Sequence, residues 1–140
     1  MAAVERFEDL ECWQTARELT RGVYRATKRQ KLGSDLALSN QMKRATVSIG
    51  SNIAEGFERG TRRQQIEACY IAKGSAGELR SQVIAARDAE LIDERAYEWL
   101  HEKCETCSRQ IQGYIRHLRR TRDNMPGPKY FDPGNDENTG

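Results

Sequence analysis

Residues 97–118 read YEWLHEKCETCSRQIQGYIRHL, and within them Tyr97, Leu100, Cys104, Cys107, Ile111, Tyr114 and Leu118 recur at alternating steps of three and four. That spacing returns side chains to one face of a 3.6-residue helix, whereas a strand alternates at two. Outward from this segment the same period persists. A first helix is expected over about residues 9–29, burying Leu10, Trp13, Ala16, Leu19, Val23 and Thr27, with a loop at Lys31, Leu32, Gly33 and Ser34. A second starts at Asp35 or Ser39 and ends at Gly56, carrying Met42, Ala45, Ile49 and Ile53 on one stripe, and residues 57–60 form the turn after it. Thr61 is placed to cap a third helix running to about Ala89, with Ile66, Cys69, Tyr70, Ala76, Leu79, Val83 and Ile84 inward. Asp93 is placed to cap the fourth, which extends to about Arg122.

Proline distribution supports the same fold class. Pro126, Pro128 and Pro133 are the chain's three prolines and all lie in its last 15 residues, so nothing upstream carries the strongest helix breaker. The expectation is an all-α, antiparallel up-down-up-down four-helix bundle over residues 1–122, followed by a disordered acidic Pro/Gly-rich tail over residues 123–140. With 140 residues there is room for one domain.

Composition narrows the function. Before the tail, the longest stretch free of Asp, Glu, Lys and Arg is residues 45–54, about half of the roughly 20 residues a membrane-spanning helix needs. The N-terminus MAAVERFEDL has no apolar run of signal-peptide length, so a cytoplasmic protein is expected, with its four cysteines as free thiols. Residues 1–122 carry 22 Lys and Arg against 17 Asp and Glu, for a net of +5, and the tail carries −3. A mildly basic body is compatible with nucleic acid without requiring it.

Metal and catalytic motifs are weak. Cys104 and Cys107 form a CxxC pair, yet both occupy inward positions of the fourth helix, where a small apolar side chain belongs. His101 lies about 9 Å along the axis from Cys107, too far for one metal bound at about 2.0–2.3 Å. Glu98 and His101 give one Glu-x-x-His element, whereas a di-iron bundle carries two. With no phosphate loop, nucleophile elbow or nucleotide fingerprint, no enzyme activity, metal or cofactor is expected.

The second helix gathers Arg44, Ser48, Ser51, Asn52 and Glu55 within an arc of about 100° away from its apolar stripe, with Val47, Gly50 and Ala54 on a third face. This pattern is either a solvated face or a specific polar network, and Asn and Ser in mid-helix, at a propensity cost, favour the network. Residues 41–61, QMKRATVSIGSNIAEGFERGT, followed by Ile71, Ala72, Gly74, Ser75, Gly77, Glu78 and Leu79, resemble bacterial four-helix-bundle proteins encoded by intervening sequences within large-subunit ribosomal RNA genes. Leu10, Trp13, Ala16, Leu19 and Tyr24 match that family's opening, and the resemblance spans about residues 7–118. It implies a left-handed four-helix bundle assembled as a homopentamer, with Arg44, Asn52, Glu55 and Glu78 as an interhelical or intersubunit polar network. A related group, the accessory proteins of diversity-generating retroelements, implies binding to nucleic acid and to the element's reverse transcriptase. The tail is no part of the shared pattern.

Two basic stripes remain. Arg17, Arg21, Arg25 and Lys28 repeat at four and three on the first helix, beside Trp13 and Tyr24, and Arg109, Arg116 and Arg120 share one line of the fourth. Such rows suit backbone phosphates, which require positive charge at regular spacing and no base-specific geometry. The expectation is a non-enzymatic RNA- or DNA-binding adaptor, an oligomer that would also recruit a protein partner. The competing reading is a protein scaffold whose basic stripes only keep the helices soluble.

Overall fold

The computed structural model describes residues 4–120, so the expected tail lies outside the described residues. A short 3-10 helix, Phe7–Asp9, leads into α1 (Glu11–Thr27), α2 (Gln30–Ser34), α3 (Leu36–Arg59), α4 (Arg62–Asp88) and α5 (Glu94–Arg120), with no strand among the described residues. No helix among them is long and apolar enough to cross a membrane.

Side-chain caps set three of the helix starts. Asp35 accepts the Leu38 N–H at 3.0 Å, so α3 starts after Asp35 and not at Ser39, which is buried inside it. Thr61 Oγ1 accepts the Gln64 N–H at 3.1 Å at the head of α4. Asp93 Oδ1 accepts the Ala96 N–H at 2.8 Å at the head of α5. Each satisfies one of the donors that a helix N-terminus leaves without a partner.

The segment expected as a loop at Lys31, Leu32, Gly33 and Ser34 instead falls in α2. Leu32 is fully buried, and fixing it there curls the connection into one turn whose Gly33 N–H bonds the Arg29 carbonyl at 2.8 Å. Gly33 sits so close to the Thr27 carbonyl that a Cβ would lie 2.6 Å from its oxygen. The stop expected at Gly56 is also corrected. Phe57, only 1% exposed, extends the apolar stripe by another turn, and α3 ends at Arg59, capped by Gly60, whose φ of 84° is the left-handed conformation that glycine adopts freely. Gly56 serves helix packing, since a Cβ there would meet the Ala68 Cβ at 2.5 Å.

Within α4, Tyr70 is an outer residue, 43% exposed, and not an inner one. It lies about 100° round the helix from buried Cys69, toward α5, where its hydroxyl accepts from Arg119 at 2.7 Å. Gln65, Ala72, Gln82 and Ala86 join the buried face instead, and Ile66 and Ile84 are half-buried. Trp13 and Thr27, expected inside, are half-buried edges of α1. On α5 Ile115 is fully buried, while Tyr97 and Tyr114 flank the core half-exposed, with the Tyr114 hydroxyl donating to Gln65 Oε1 at 2.7 Å.

The long helices contact one another in a cycle, α1 with α3, α3 with α4, α4 with α5 and α5 with α1. Thr20 meets Thr46, Ser48 meets Ser75, Arg80 meets Glu105 and Lys73 meets Gln112. One apolar cluster, from Leu10 to Leu118, fills the space among them.

Candidate nucleic-acid interface

All seven side chains of the two basic stripes are exposed: Arg17, Arg21, Arg25 and Lys28 on α1, and Arg109, Arg116 and Arg120 on α5. Their helices bury the opposite faces, α1 through Ala16, Leu19 and Val23 and α5 through Cys107, Ile111 and Leu118. Five other basic side chains are tied up, with Arg29 on Asp93, Arg59 on Glu55, Arg80 on Glu105, Arg87 on Glu94 and Lys103 on Glu18. None of the seven enters an ion pair among the described residues. Arg17 lies 5.9 Å from the Trp13 ring centroid, and Arg109 donates to the Thr106 hydroxyl at 3.3 Å.

Neighbouring helices carry the two stripes, at different levels. Gln110 Nε2 donates to Glu11 Oε1 at 2.9 Å, Lys103 meets Glu18 at 2.8 Å, and Trp99 packs on Gly22. Arg109 is therefore level with the start of α1, and Arg120 lies about 15 Å beyond it at 1.5 Å per residue. The α1 stripe occupies the opposite half of the seam, over about 16 Å. Along the outward line of α5, Glu98 and Glu102 replace cations in the half that faces the α1 stripe. The cationic surface is thus a diagonal across α1 and α5. At the seam, the hydrogen bond from Lys103 holds the Glu18 carboxyl below its usual range.

Arg44, Asn52, Glu55 and Glu78 do not meet within one chain. Asn52 Nδ2 donates to the Ser48 carbonyl at 2.8 Å and to its Oγ at 3.0 Å, and Ser48 Oγ is 2.9 Å from Ser75 Oγ, which joins α3 to α4. Glu55 pairs with Arg59 at 3.1 Å, Glu78 accepts weakly from Gln82 at 3.5 Å, and Arg44 is exposed.

Cys12, Cys69, Cys104 and Cys107 are free and buried, and burial pushes each thiol up to about 12. Cys107 Sγ donates to the Cys12 carbonyl at 3.8 Å. Among the described residues no three His, Cys, Asp or Glu side chains are grouped to hold a metal ion. His101 Nδ1 instead sits 3.4 Å from Glu105 and its ring lies against Tyr97.

Sequence reasoning passed over Trp99, Arg95 and Arg29, which line a cleft of about 490 Å³ between α1 and α5 together with Arg25. A signal existed: Arg95, Trp99 and Lys103 repeat at four, placing an aromatic ring between two cations on one helical face.

A sequence profile of 23S rRNA-intervening sequence proteins matches residues 8–113, most of the chain. The chain belongs to this family. A similar fold occurs in the 1.70 Å crystal structure of a protein of unknown function from the S23 ribosomal protein family of Bacteroides thetaiotaomicron. It aligns with a TM-score of 0.67 and 21% identity, over 75% of this chain and 95% of that one. No curated protein matches in sequence. Membership in the 23S rRNA-intervening sequence family agrees with the resemblance of residues 41–61 and adds no activity to it.

Proposed function

We propose that this member of the 23S rRNA-intervening sequence family is a non-enzymatic adaptor for RNA or DNA, built from an up-down-up-down bundle that assembles as a homopentamer. Its supporting observation is that Arg17, Arg21, Arg25, Lys28, Arg109, Arg116 and Arg120 are all exposed and, among the described residues, form no close ion pair, Arg21 acting on Glu18 only at longer range. Guanidinium groups left unpaired in water at helical spacing are suited to forked contacts with successive phosphates. Five copies would repeat the α1–α5 diagonal around a ring, converting a modest charge per chain into a field that attracts a polyanion, with avidity when several sites engage.

Self-association is supported by the outer face of α4. There Ile71 is 57% exposed and Tyr70 43%, and Gly74 and Gly77 have open space where a Cβ would stand. Mid-helix glycines cost about 0.5–1 kcal/mol relative to alanine and let another helix approach closely. In the assembly, Arg44, Asn52, Glu55 and Glu78 line the contact as an intersubunit network. The same exposed apolar side chains favour the second reading, a protein scaffold, with a retroelement reverse transcriptase as the candidate partner.

Charge reversal tests the primary reading. Arg17→Glu, Arg21→Glu and Arg25→Glu together should weaken binding to structured RNA and duplex DNA irrespective of sequence. They should also flatten the dependence of log affinity on log salt by about three, one per lost contact, with the helical circular dichroism unchanged. Unchanged affinity and slope would shift the reading to the scaffold.

A further inference from the structure

The α1–α5 cleft has a composition the phosphate-binding ridge does not explain. Its walls hold three guanidinium groups, Arg25, Arg29 and Arg95, against one carboxylate, Asp93, and an indole, Trp99. Arg29 is engaged by Asp93 at 3.5 Å, whereas Arg25 and Arg95 have no ion-pair partner among the described residues. Trp99 is 37% exposed although α5 has a fully buried face for its apolar side chains. Its position is fixed by Gly22, where a Cβ would fall 2.2 Å from Trp99 Cζ3, so the ring is seated against the α1 backbone. Lys103 Nζ, held by Glu18 at 2.8 Å, stands over the ring 5.6 Å from its centroid, so a ligand meets the part of the indole that lines the cleft.

We infer that this cleft is a subsite for one unpaired nucleotide of a single strand, with the base against Trp99 and its phosphate between Arg25 and Arg95. The inference rests on the nucleic-acid reading above and deepens it. A volume of about 490 Å³ falls within the ~300–1,000 Å³ typical of small-ligand sites. An aromatic surface beside unpaired guanidinium groups matches a ligand that is flat and apolar at one end and doubly hydrogen-bonding and anionic at the other. An acidic peptide would use the cations and leave the indole wet, and a duplex keeps its bases stacked away from it. Arg25 belongs to both the ridge and the cleft, so it joins the row of Arg17 and Arg21 on α1 to the cleft that Trp99 lines from α5.

Trp99 supplies its own reporter. The chain has two tryptophans, so Trp13→Phe leaves Trp99 alone, and oligo(A) of about 16 nucleotides, as RNA and as DNA, is titrated at low salt beside an oligo(A)·oligo(T) duplex. Both single strands should quench the emission and the duplex should not. Trp99→Leu should weaken single-strand binding about tenfold and leave duplex binding unchanged, while Trp99→Tyr restores it. Arg95→Gln should lower the salt slope for single strands by about one. Binding of oligo(A) without quenching, equal quenching by the duplex, or a Trp99→Leu affinity equal to the parent's would overturn the subsite and leave the ridge reading intact. No binding of either probe would remove both. If Trp99→Leu loses helical signal, Trp99→Tyr decides, because a stacking platform survives that change and an indole needed only for packing against Gly22 does not.

Discussion

Gly22 and Gly74 show how one residue type answers to opposite causes. Both sit in mid-helix, but a Cβ on Gly22 would collide with Trp99, while one on Gly74 meets nothing within 4 Å. Gly22→Ala should cost about 1–3 kcal/mol in urea unfolding and shift the tryptophan emission as Trp99 is displaced. Gly74→Ala should instead stabilise the isolated chain by about 0.5–1 kcal/mol, since it only relieves backbone entropy. The four thiols carry a second residue-level prediction. Folded, they hold their protons to about 12, whereas unfolded they release them near 9.0, so their stabilising effect is complete below pH 9 and is lost as pH rises toward 12. Each thiol contributes a slope of up to about 1.4 kcal/mol per pH unit in that interval. A thiol-reactive disulfide reagent at neutral pH should therefore label the native protein negligibly and all four cysteines in denaturant.

At the scale of elements, the starts of α4 and α5 and the stop of α4 near Ala89 were legible, and the stop of α3 was not. Thr61 and Asp93 announce helix N-termini through side-chain oxygens that accept backbone N–H groups, a local effect visible in any sequence. The end of α3 depended on whether Phe57 was inside, and only its burial in the shared core settles that. α2 was invisible for the same reason, because one leucine in a short polar segment has no periodicity. Thr61→Ala should cost about 0.5–2 kcal/mol. Gly60→Ala, at φ 84°, should cost about 1–2 kcal/mol, and both should lower the urea midpoint without changing the slope.

For the whole molecule, the consequential feature is the axial offset of the two arginine stripes on α1 and α5, which makes a diagonal rather than a belt. Repetition of that diagonal requires assembly. Light scattering should give about five times the 16.0 kDa chain mass, and Ile71→Glu, which places a charge on a side chain that is 57% exposed in the single chain, should yield folded monomers. A monomeric parent would remove the avidity from the proposed function. Ile71→Glu should also weaken nucleic-acid binding although α4 carries none of the seven stripe cations, because avidity is lost with the ring.

The amino-acid sequence by itself determined the helical class, the capping residues, the inward placement of Cys104 and Cys107, and the outward placement of the seven stripe cations. These depend only on the angle at which each side chain leaves its own helix, which a period of 3.6 residues fixes. The tertiary structure alone decided that Tyr70 faces outward, that Asn52 meets Ser48, which in turn meets Ser75, rather than Arg44 or Glu78, and that Trp99 lies on Gly22 in one cleft with Arg25 and Arg95. Those facts depend on which helix is the neighbour and at what height along its axis. Periodicity carries neither quantity; both are set by how side-chain volumes from four helices fill one core.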